Sequence, residues 1–179
     1  MAGGTEFNRQ KFKELILYLA DKSGDDLGFG MTKLNKLLYF SDFEAYRRLG
    51  RSITGATYQK LEWGPAAREF LPLHEELLSD QRARVEARPR GRFWRKVTVS
   101  SGADTSAFSP DELQVINAII QELRPYDATG SSDLSHHQSV GWNVVDYGET
   151  IPYETVVVSA ELPDANVVEY FRRLEGVAG

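Results

Sequence analysis

The sequence predicts a mainly α-helical α+β fold, with a helical core around one buried central helix and a small antiparallel sheet or hairpin. Three observations predict this class. Residues 31–65 contain a long helical pattern that is apolar on two faces and leads into a strand. Amphipathic helical patterns precede and follow this segment. Two β-favouring runs flank a Pro-Arg-Gly turn at residues 89–91, which is typical of a hairpin.

The length of the chain favours a single domain. A chain of 179 residues is long enough to bury its own hydrophobic core. We expect one domain over residues 1–179, in which residues 7–153 carry the motifs and residues 153–175 form a C-terminal strand and helix.

The first helix is predicted to begin at Thr5 or Asn8 and to end before Gly24. Its apolar residues recur at helical spacing: Phe12, Leu15, Ile16 and Leu19. A short, polar, glycine-rich linker follows and is typical of a turn between two packed helices. We expect Leu27 and Phe29 to be buried beneath this linker.

The central helix is predicted over residues 32–49. At 100° per residue two largely apolar faces result, with Leu34, Leu38, Ser41, Ala45 and Leu49 on one, and Tyr39, Phe43 and Tyr46 on the other. A narrow polar stripe remains, formed by Lys33, Lys36, Glu44 and Arg47. A helix that is apolar over most of its circumference is covered on both sides, so we expect this helix to lie in the core.

Asp42 falls between the two apolar faces of the central helix, as does Asn35. A buried carboxylate needs a partner, because its desolvation costs several kcal/mol. The favoured interpretation is that Asp42 caps a neighbouring backbone or pairs with an arginine. The alternative is that it belongs to a functional surface.

The segment after the central helix is predicted to form a turn, a strand and a helix. Gly50 is expected to end the central helix as a C-cap, and residues 56–63 to form a strand that Pro65 stops. A helix is predicted over residues 66–79, with a kink or break at Pro72.

The predicted hairpin is strongly basic. Between Arg82 and Lys96 there are seven positive residues and one acidic residue, with Phe93 and Trp94 interleaved. Such a segment can bind an acidic protein surface or nucleic acid. It can also be a solvated hairpin whose charges protect the edges of its strands.

The C-terminal half is predicted to contain a well-capped helix. Ser109, Pro110 and Glu112 form a capping box with proline at the first helical position. The buried face of this helix is expected to contain Leu113, Ile116, Ile119, Ile120 and Leu123. Beyond it, residues 153–159 are predicted to be a strand, and a last helix is predicted from residue 162.

Residues 129–142 are predicted to contain a short serine-capped helix with His136 and His137, followed by Trp142. We expect one histidine to be a packing residue that donates to a backbone carbonyl or to a carboxylate such as Asp42; a place in a partner-binding surface is the alternative. Trp142 and Trp63 are expected to be core aromatic residues with satisfied indole N–H groups.

No catalytic, cofactor or metal site is predicted. The chain has no cysteine and three histidines, and adjacent histidines on a helix point about 100° apart, which does not suit one zinc ion. Nucleophile-elbow, P-loop and dinucleotide-binding motifs are not found in the sequence. A hydrolase that uses a histidine with Asp42 is the least favoured interpretation.

The charge is divided unevenly along the chain. The net charge is −5, but residues 1–99 contain 18 Lys and Arg against 13 Asp and Glu, whereas residues 100–179 contain 3 against 13. The halves can attract each other within the fold or attract different partners. No apolar run approaches the ~20 residues of a membrane span, and the N-terminal residues do not resemble a signal peptide, so we expect a cytoplasmic protein.

Two segments resemble the signature of the Panacea domain, the SocA-like antitoxin family. The first block is a K-L-L-Y-type helix with an Asp, a Gly turn and an aromatic-Gly-Pro strand end, matched here by Lys36, Leu37, Leu38, Tyr39, Asp42, Gly50, Trp63, Gly64 and Pro65. The second block is matched by Leu134, Ser135, Trp142 and the Ile151-Pro152 pair, with His136 or His137 in the place of the family histidine.

The resemblance implies the antitoxin of a bacterial or phage toxin–antitoxin pair, which neutralises a protein toxin by direct contact. It also implies a possible role as a proteolytic adaptor to the ClpXP protease. We expect the toxin to contact Phe40, taken to be exposed in the polar stripe, and the hairpin residues Arg92, Trp94 and Arg95, because aromatic and arginine side chains dominate interface energetics. The alternative is a nucleic-acid-binding transcriptional regulator that uses the basic hairpin. The sequence leaves self-association open.

Overall fold

The computed structural model describes residues 6–87 and 95–157. In these residues it contains ten α-helices and strands in the order α1 Arg9–Lys22, α2 Met31–Leu49, β1 Tyr58–Leu61, β2 Gly64–Ala67, α3 Phe70–Ser79, β3 Ala83–Ala87, β4 Arg95–Val99, α4 Pro110–Leu123, α5 Ala128–Gln138 and α6 Val140–Val144. Two 3₁₀ helices, Thr105–Ala107 and Tyr153–Val157, complete the described secondary structure. The mainly helical α+β class is confirmed. No helix among the described residues is long and apolar enough to cross a membrane.

Helix α1 begins where its capping residue predicts. The Asn8 side chain accepts a hydrogen bond from the Lys11 backbone N–H at 2.9 Å, and the helix ends at Lys22, two residues before Gly24. Its predicted apolar face is fully buried. In the following linker Phe29 is buried as expected, whereas Leu27 is exposed, so that part of the prediction was wrong.

Helix α2 is the core helix, as predicted. It contacts α1, α4, α5 and β2, and both of its apolar faces are buried apart from the half-buried Leu49. Gly50 ends it in the left-handed conformation at φ 72°, with its N–H donating to the Tyr46 carbonyl. The predicted polar stripe was wrong for Lys33 and Lys36, because neighbouring elements bury both side chains.

The segment after α2 forms a tight antiparallel pair of strands. Strand β1 pairs with β2 in a register that aligns Tyr58 with Ala67 and Leu61 with Gly64. Pro65 therefore lies inside the second strand instead of stopping the first. Trp63 lies in the connecting turn and is 68% exposed, so its prediction as a core residue was wrong.

Helix α3 starts at Phe70, four residues later than predicted. Pro72 is its third residue, within the first turn, where backbone N–H groups have no intrahelical acceptor. At this position Pro72 removes no helical hydrogen bond, so the physical reason for the predicted kink or break does not apply.

The predicted hairpin forms from β3 and β4, which align Ala83 with Val99 and Ala87 with Arg95. Its connecting residues 88–94 lie outside the described residues. Helix α4 carries the predicted capping box: the Ser109 hydroxyl accepts from the Glu112 N–H, and the Glu112 carboxylate accepts from the Ser109 N–H.

Two helices occupy the region where one serine-capped helix was predicted. Asp127 caps α5, and Ser139 caps α6 through the Trp142 N–H. The segment 153–157 is a 3₁₀ helix, so the strand predicted there was wrong. Strand-like pairing occurs slightly earlier, where the Ile151 N–H donates to the Tyr58 carbonyl. The predicted last helix lies outside the described residues.

Candidate functional site

The two sequence blocks meet at Gly64. The Lys36 ammonium group of α2 donates to the Pro65 carbonyl at 3.1 Å. A Cβ atom on Gly64 would lie 2.6 Å from the Ser135 hydroxyl and 2.8 Å from Lys36 Cε, and Gly64 has φ 95°. Only glycine fits this position without strain, because both the backbone conformation and the available space exclude a side chain.

Helix α5 is attached to the β1–β2 turn by the hydroxyl group of Ser132, which donates to the Trp63 carbonyl at 3.1 Å. The Ser135 hydroxyl donates within the helix, to the Ser132 carbonyl at 2.7 Å. Both serines are buried. The Ser132 contact positions the backbone of Trp63 while its side chain remains in solvent.

Trp142 packs behind the same turn. Its indole Nε1 donates to the Leu61 carbonyl at 3.3 Å, and the Lys60 ammonium group lies 4.5 Å from the ring centroid. His136 stacks on the indole, with ring centroids 4.0 Å apart and an interplanar angle of 16°. The expectation that the Trp142 N–H is satisfied is confirmed.

The two histidines have different environments. His136 packs on Trp142, and burial, followed by the nearby Lys36 charge, lowers its pKa. His137 is exposed. Among the described residues the Asp42 carboxylate accepts from Thr54 and Tyr58 and from neither histidine, so Asp42 is not the carboxylate partner that was offered as one alternative for a packing histidine. The least favoured interpretation, a hydrolase built on that pair, loses its basis.

Asp42 is fully partnered. Its carboxylate accepts hydrogen bonds from the Thr54 N–H at 2.8 Å, the Thr54 hydroxyl at 2.5 Å and the Tyr58 hydroxyl at 2.8 Å. Burial raises its pKa to about 6, and these hydrogen bonds oppose that rise. The favoured interpretation of a backbone cap is confirmed, without an arginine.

Lys36 is buried with much less compensation. Its ammonium group has three N–H donors, and within residues 6–87 and 95–157 the Pro65 carbonyl is its one hydrogen-bond partner. Burial lowers its pKa to about 7. By contrast, the buried Lys33 ammonium pairs with Asp26 at 2.6 Å and donates to the Tyr126 carbonyl.

A groove of about 310 Å³ lies beside this cluster, and we call it the Trp63 groove. Its wall-forming apolar side chains include Trp63, which is 68% exposed, and Leu71, which is 62% exposed. Lys36 lines its interior and the exposed Arg68 lines its rim. Its complete lining is Met31, Thr32, Asn35, Lys36, Gln59, Leu61, Trp63, Gly64, Ala66, Ala67, Arg68, Phe70 and Leu71.

Phe40 does not have the predicted exposure. It is half-buried, packs edge-on against Tyr39 at 5.3 Å between ring centroids, and lines a second cavity of about 370 Å³. Arg92 and Trp94 lie outside the described residues. Arg95 is the first residue of β4, and its side chain also lies outside the description.

Of the three basic side chains of this segment that the structure describes, Arg82, Arg84 and Lys96, two interact within the protein. Arg82 forms a bidentate pair with Glu14, with N–O distances of 2.8 and 3.0 Å. Lys96 is buried and donates to the Gly24 carbonyl. Fewer positive charges are therefore available to an external partner than the sequence suggests. In the described ranges, no group of three or more His, Asp or Glu residues is arranged to hold a metal ion.

The fold and site define a helical domain whose two sequence blocks support an exposed apolar groove. A sequence model described as "Antitoxin SocA-like, Panacea domain" matches residues 34–143, from the central helix to the residue after Trp142. The match covers more than half of the chain, and the protein belongs to this SocA-like antitoxin family. No curated protein and no solved structure matches the chain.

Sequence reasoning missed the Trp63 groove. Two signals pointed to it. Leu71 is apolar but, at helical spacing, lies off the face on which Phe70, Leu73 and Leu77 are buried. Trp63 sits between two short strands in a turn, where a large aromatic side chain has little structural reason to occur.

Proposed function

We propose that the protein neutralises a protein toxin by direct binding and does not catalyse a reaction. The observation that carries this proposal is the Trp63 groove, which exposes two large apolar side chains and is also lined by Lys36 and Gly64, where the family's two sequence blocks meet. Exposed apolar surface next to a rigid support is typical of a protein interaction site.

The first experiment is co-expression with the protein encoded by the neighbouring gene. We expect the neighbour alone to arrest growth, and co-expression to restore growth and yield a complex that co-purifies. A harmless neighbour, or rescue without a complex, would contradict neutralisation by binding in this pair.

Stoichiometry separates a binding protein from an enzyme. Titration of the purified protein into the toxin should inhibit the toxin in proportion to the complex formed and reach an endpoint at a fixed molar ratio. If a small fraction of a molar equivalent of the protein inactivated all of the toxin over time, the result would indicate catalytic turnover instead.

Blocking and delivery to ClpXP are two routes to the same rescue. If the protein is a proteolytic adaptor, the half-life of the toxin should shorten on co-expression and recover when ClpXP is removed. If it blocks the toxin, the half-life should stay unchanged while growth is restored.

The basic hairpin is a second proposed contact surface. Replacing Arg92, Trp94 and Arg95 together by Ala should weaken rescue if the hairpin contacts the toxin, and unchanged rescue would exclude this contact. A salt-dependent gel shift with the promoter DNA that is lost in the same variant would instead favour the nucleic-acid-binding alternative.

A further inference from the structure

The Trp63 groove combines apolar walls with uncompensated positive charge. Its charged lining residues are Lys36 and Arg68, and its described lining contains no carboxylate. Two acidic residues adjoin lining residues in the sequence without lining the groove themselves: the exposed Glu62, and Glu69, whose carboxylate accepts from the Thr57 N–H at 3.0 Å. The groove therefore has the sign of charge that attracts an acidic group.

Arg68 is suited to receive that group at the rim. Its guanidinium donates to Gln59 Oε1 at 3.2 Å and to the Gly148 carbonyl at 3.0 Å, which fixes its position. A guanidinium has five N–H donors, so others remain free, and Arg68 forms no ion pair with any described residue. A planar guanidinium held in this way matches a carboxylate.

Lys36 reinforces this preference from below. Its ammonium group is buried, lines the groove and has no carboxylate partner among the described residues. A carboxylate bound nearby would provide the opposite charge that the fold omits, and burial strengthens such an interaction because the local dielectric constant is low.

We propose that the Trp63 groove binds a short segment of the toxin in which a large apolar side chain lies beside a carboxylate. The apolar side chain occupies the space between Trp63 and Leu71, and the carboxylate pairs with Arg68 above Lys36. This inference rests on the proposed antitoxin function, and it adds the chemistry of the toxin segment that is recognised.

Selection from a random heptapeptide library displayed on phage, with the full-length folded protein as bait, tests the chemistry of the groove. The expected consensus is a large aliphatic or aromatic residue next to Asp or Glu. A basic consensus, or no enrichment, would overturn the proposal.

Binding of the labelled consensus peptide then tests its location. Trp63→Ala and Arg68→Glu should each weaken binding by at least about tenfold, as truncation of an interface hot spot does. The matched controls are Tyr147→Ala, an equally exposed aromatic residue, and Arg84→Glu, an exposed arginine without an ion pair among the described residues; neither lines the groove. Equal losses in the controls would overturn the proposal.

Two further results separate this inference from the proposed function. If the Trp63→Ala and Arg68→Glu variants still bind the toxin and rescue growth as the wild type does, the groove assignment is overturned and the antitoxin function stays intact. Groove-dependent peptide binding without rescue would overturn the antitoxin function for that neighbour and support the groove chemistry. Sedimentation of the free protein tests a third occupant, a second copy of the chain. A wild-type dimer that becomes a monomer in Trp63→Ala would show that the groove binds a second copy, and would overturn the proposal.

Discussion

Asp42 and Lys36 lie six residues apart on the same helix, and both are buried, with exposures of 0% and 2%. The Asp42 carboxylate accepts three hydrogen bonds from Thr54 and Tyr58. The Lys36 ammonium donates one, to a backbone carbonyl. The middle of the helix therefore contains a satisfied charge at Asp42, and six residues nearer its N-terminus it contains a charge whose burial is poorly compensated.

The difference distinguishes two uses of a buried charge. Asp42 fixes the loop after α2 against β1, because its acceptors satisfy a backbone N–H and two hydroxyl groups that would otherwise be buried unpaired. Lys36 supports the β1–β2 turn through one bond and lies beside an exposed groove. A charge that is costly to the fold and adjacent to a surface groove is a candidate for binding.

The largest expected effect is at Asp42. Asp42→Ala should lower the free energy of unfolding by about 3–5 kcal/mol, because it removes a buried acceptor and leaves several donors unpaired. Urea denaturation measures the loss. The matched control, Tyr58→Phe, removes one donor and should cost about 1 kcal/mol. A smaller loss of unfolding free energy in Asp42→Ala than in Tyr58→Phe would show that the Asp42 hydrogen bonds do not stabilise the fold.

Substitution of Lys36 is expected to change the free energy of unfolding in the opposite direction. Lys36→Met should raise the free energy of unfolding by about 2 kcal/mol at pH 7, because the desolvation penalty that it removes exceeds the lost hydrogen bond. Lys33→Met is the control: it leaves the partly buried carboxylate of Asp26 without its ammonium partner and should be destabilising. If both variants raised, or both lowered, the free energy of unfolding, the contrast between Lys36 and Lys33 would be contradicted.

The Lys36 effect should also depend on pH. The folded pKa of Lys36 is about 7, below its ordinary value of 10.5, so between these values the unfolded chain holds a proton that the folded chain lacks. The wild type should therefore gain stability relative to Lys36→Met as pH rises from 7 towards 10.5. Denaturation of both proteins at pH 7 and pH 9.5 measures this gain, and a constant difference would contradict it.

A smaller effect is expected where the two blocks meet. Gly64→Ala should cost about 1–2 kcal/mol, because the backbone has positive φ and the new Cβ meets Ser135 and Lys36. Gly50→Ala is the control with positive φ and open space, so it isolates the conformational cost. Equal losses measured by thermal unfolding would show that the close contact at Gly64 is readily relieved.

The smallest expected effect lies away from both charges. Ser109→Ala should lower the free energy of unfolding by about 1 kcal/mol, through loss of the N-cap of α4. Peptide binding to the Trp63 groove should remain unchanged, which fluorescence anisotropy measures. Weaker binding would indicate that general destabilisation, not local contact, explains losses in the groove variants.

Locally encoded features were predictable from the sequence. Asn8 caps α1, Gly50 ends α2 and the Ser109 capping box begins α4, because each of these signals acts on backbone groups within four residues. The periodicity of α2 likewise predicted its two buried faces. The family blocks were visible in the sequence, and the family match agrees with them.

The candidate site was only partly predictable. Lys36, Gly64 and Ser135 were singled out by the resemblance, but their mutual contact depends on how α2, β2 and α5 pack. Trp63 was assigned to the core because large aromatic residues are usually buried. Its exposure follows from a turn that directs it outward, which no local pattern specifies.

The sequence by itself determined helices α1, α2 and α4 with their caps, the hairpin and the family, since these depend on short-range hydrogen bonding, periodicity and motif spacing. Only the tertiary structure decided which charges are buried and what partners them. Lys33 and Lys36 occupy equivalent-looking positions in one polar stripe, yet Asp26 pairs with the first alone. The physical reason is that the energy of a charge depends on groups distant in the sequence that packing brings within a few ångströms.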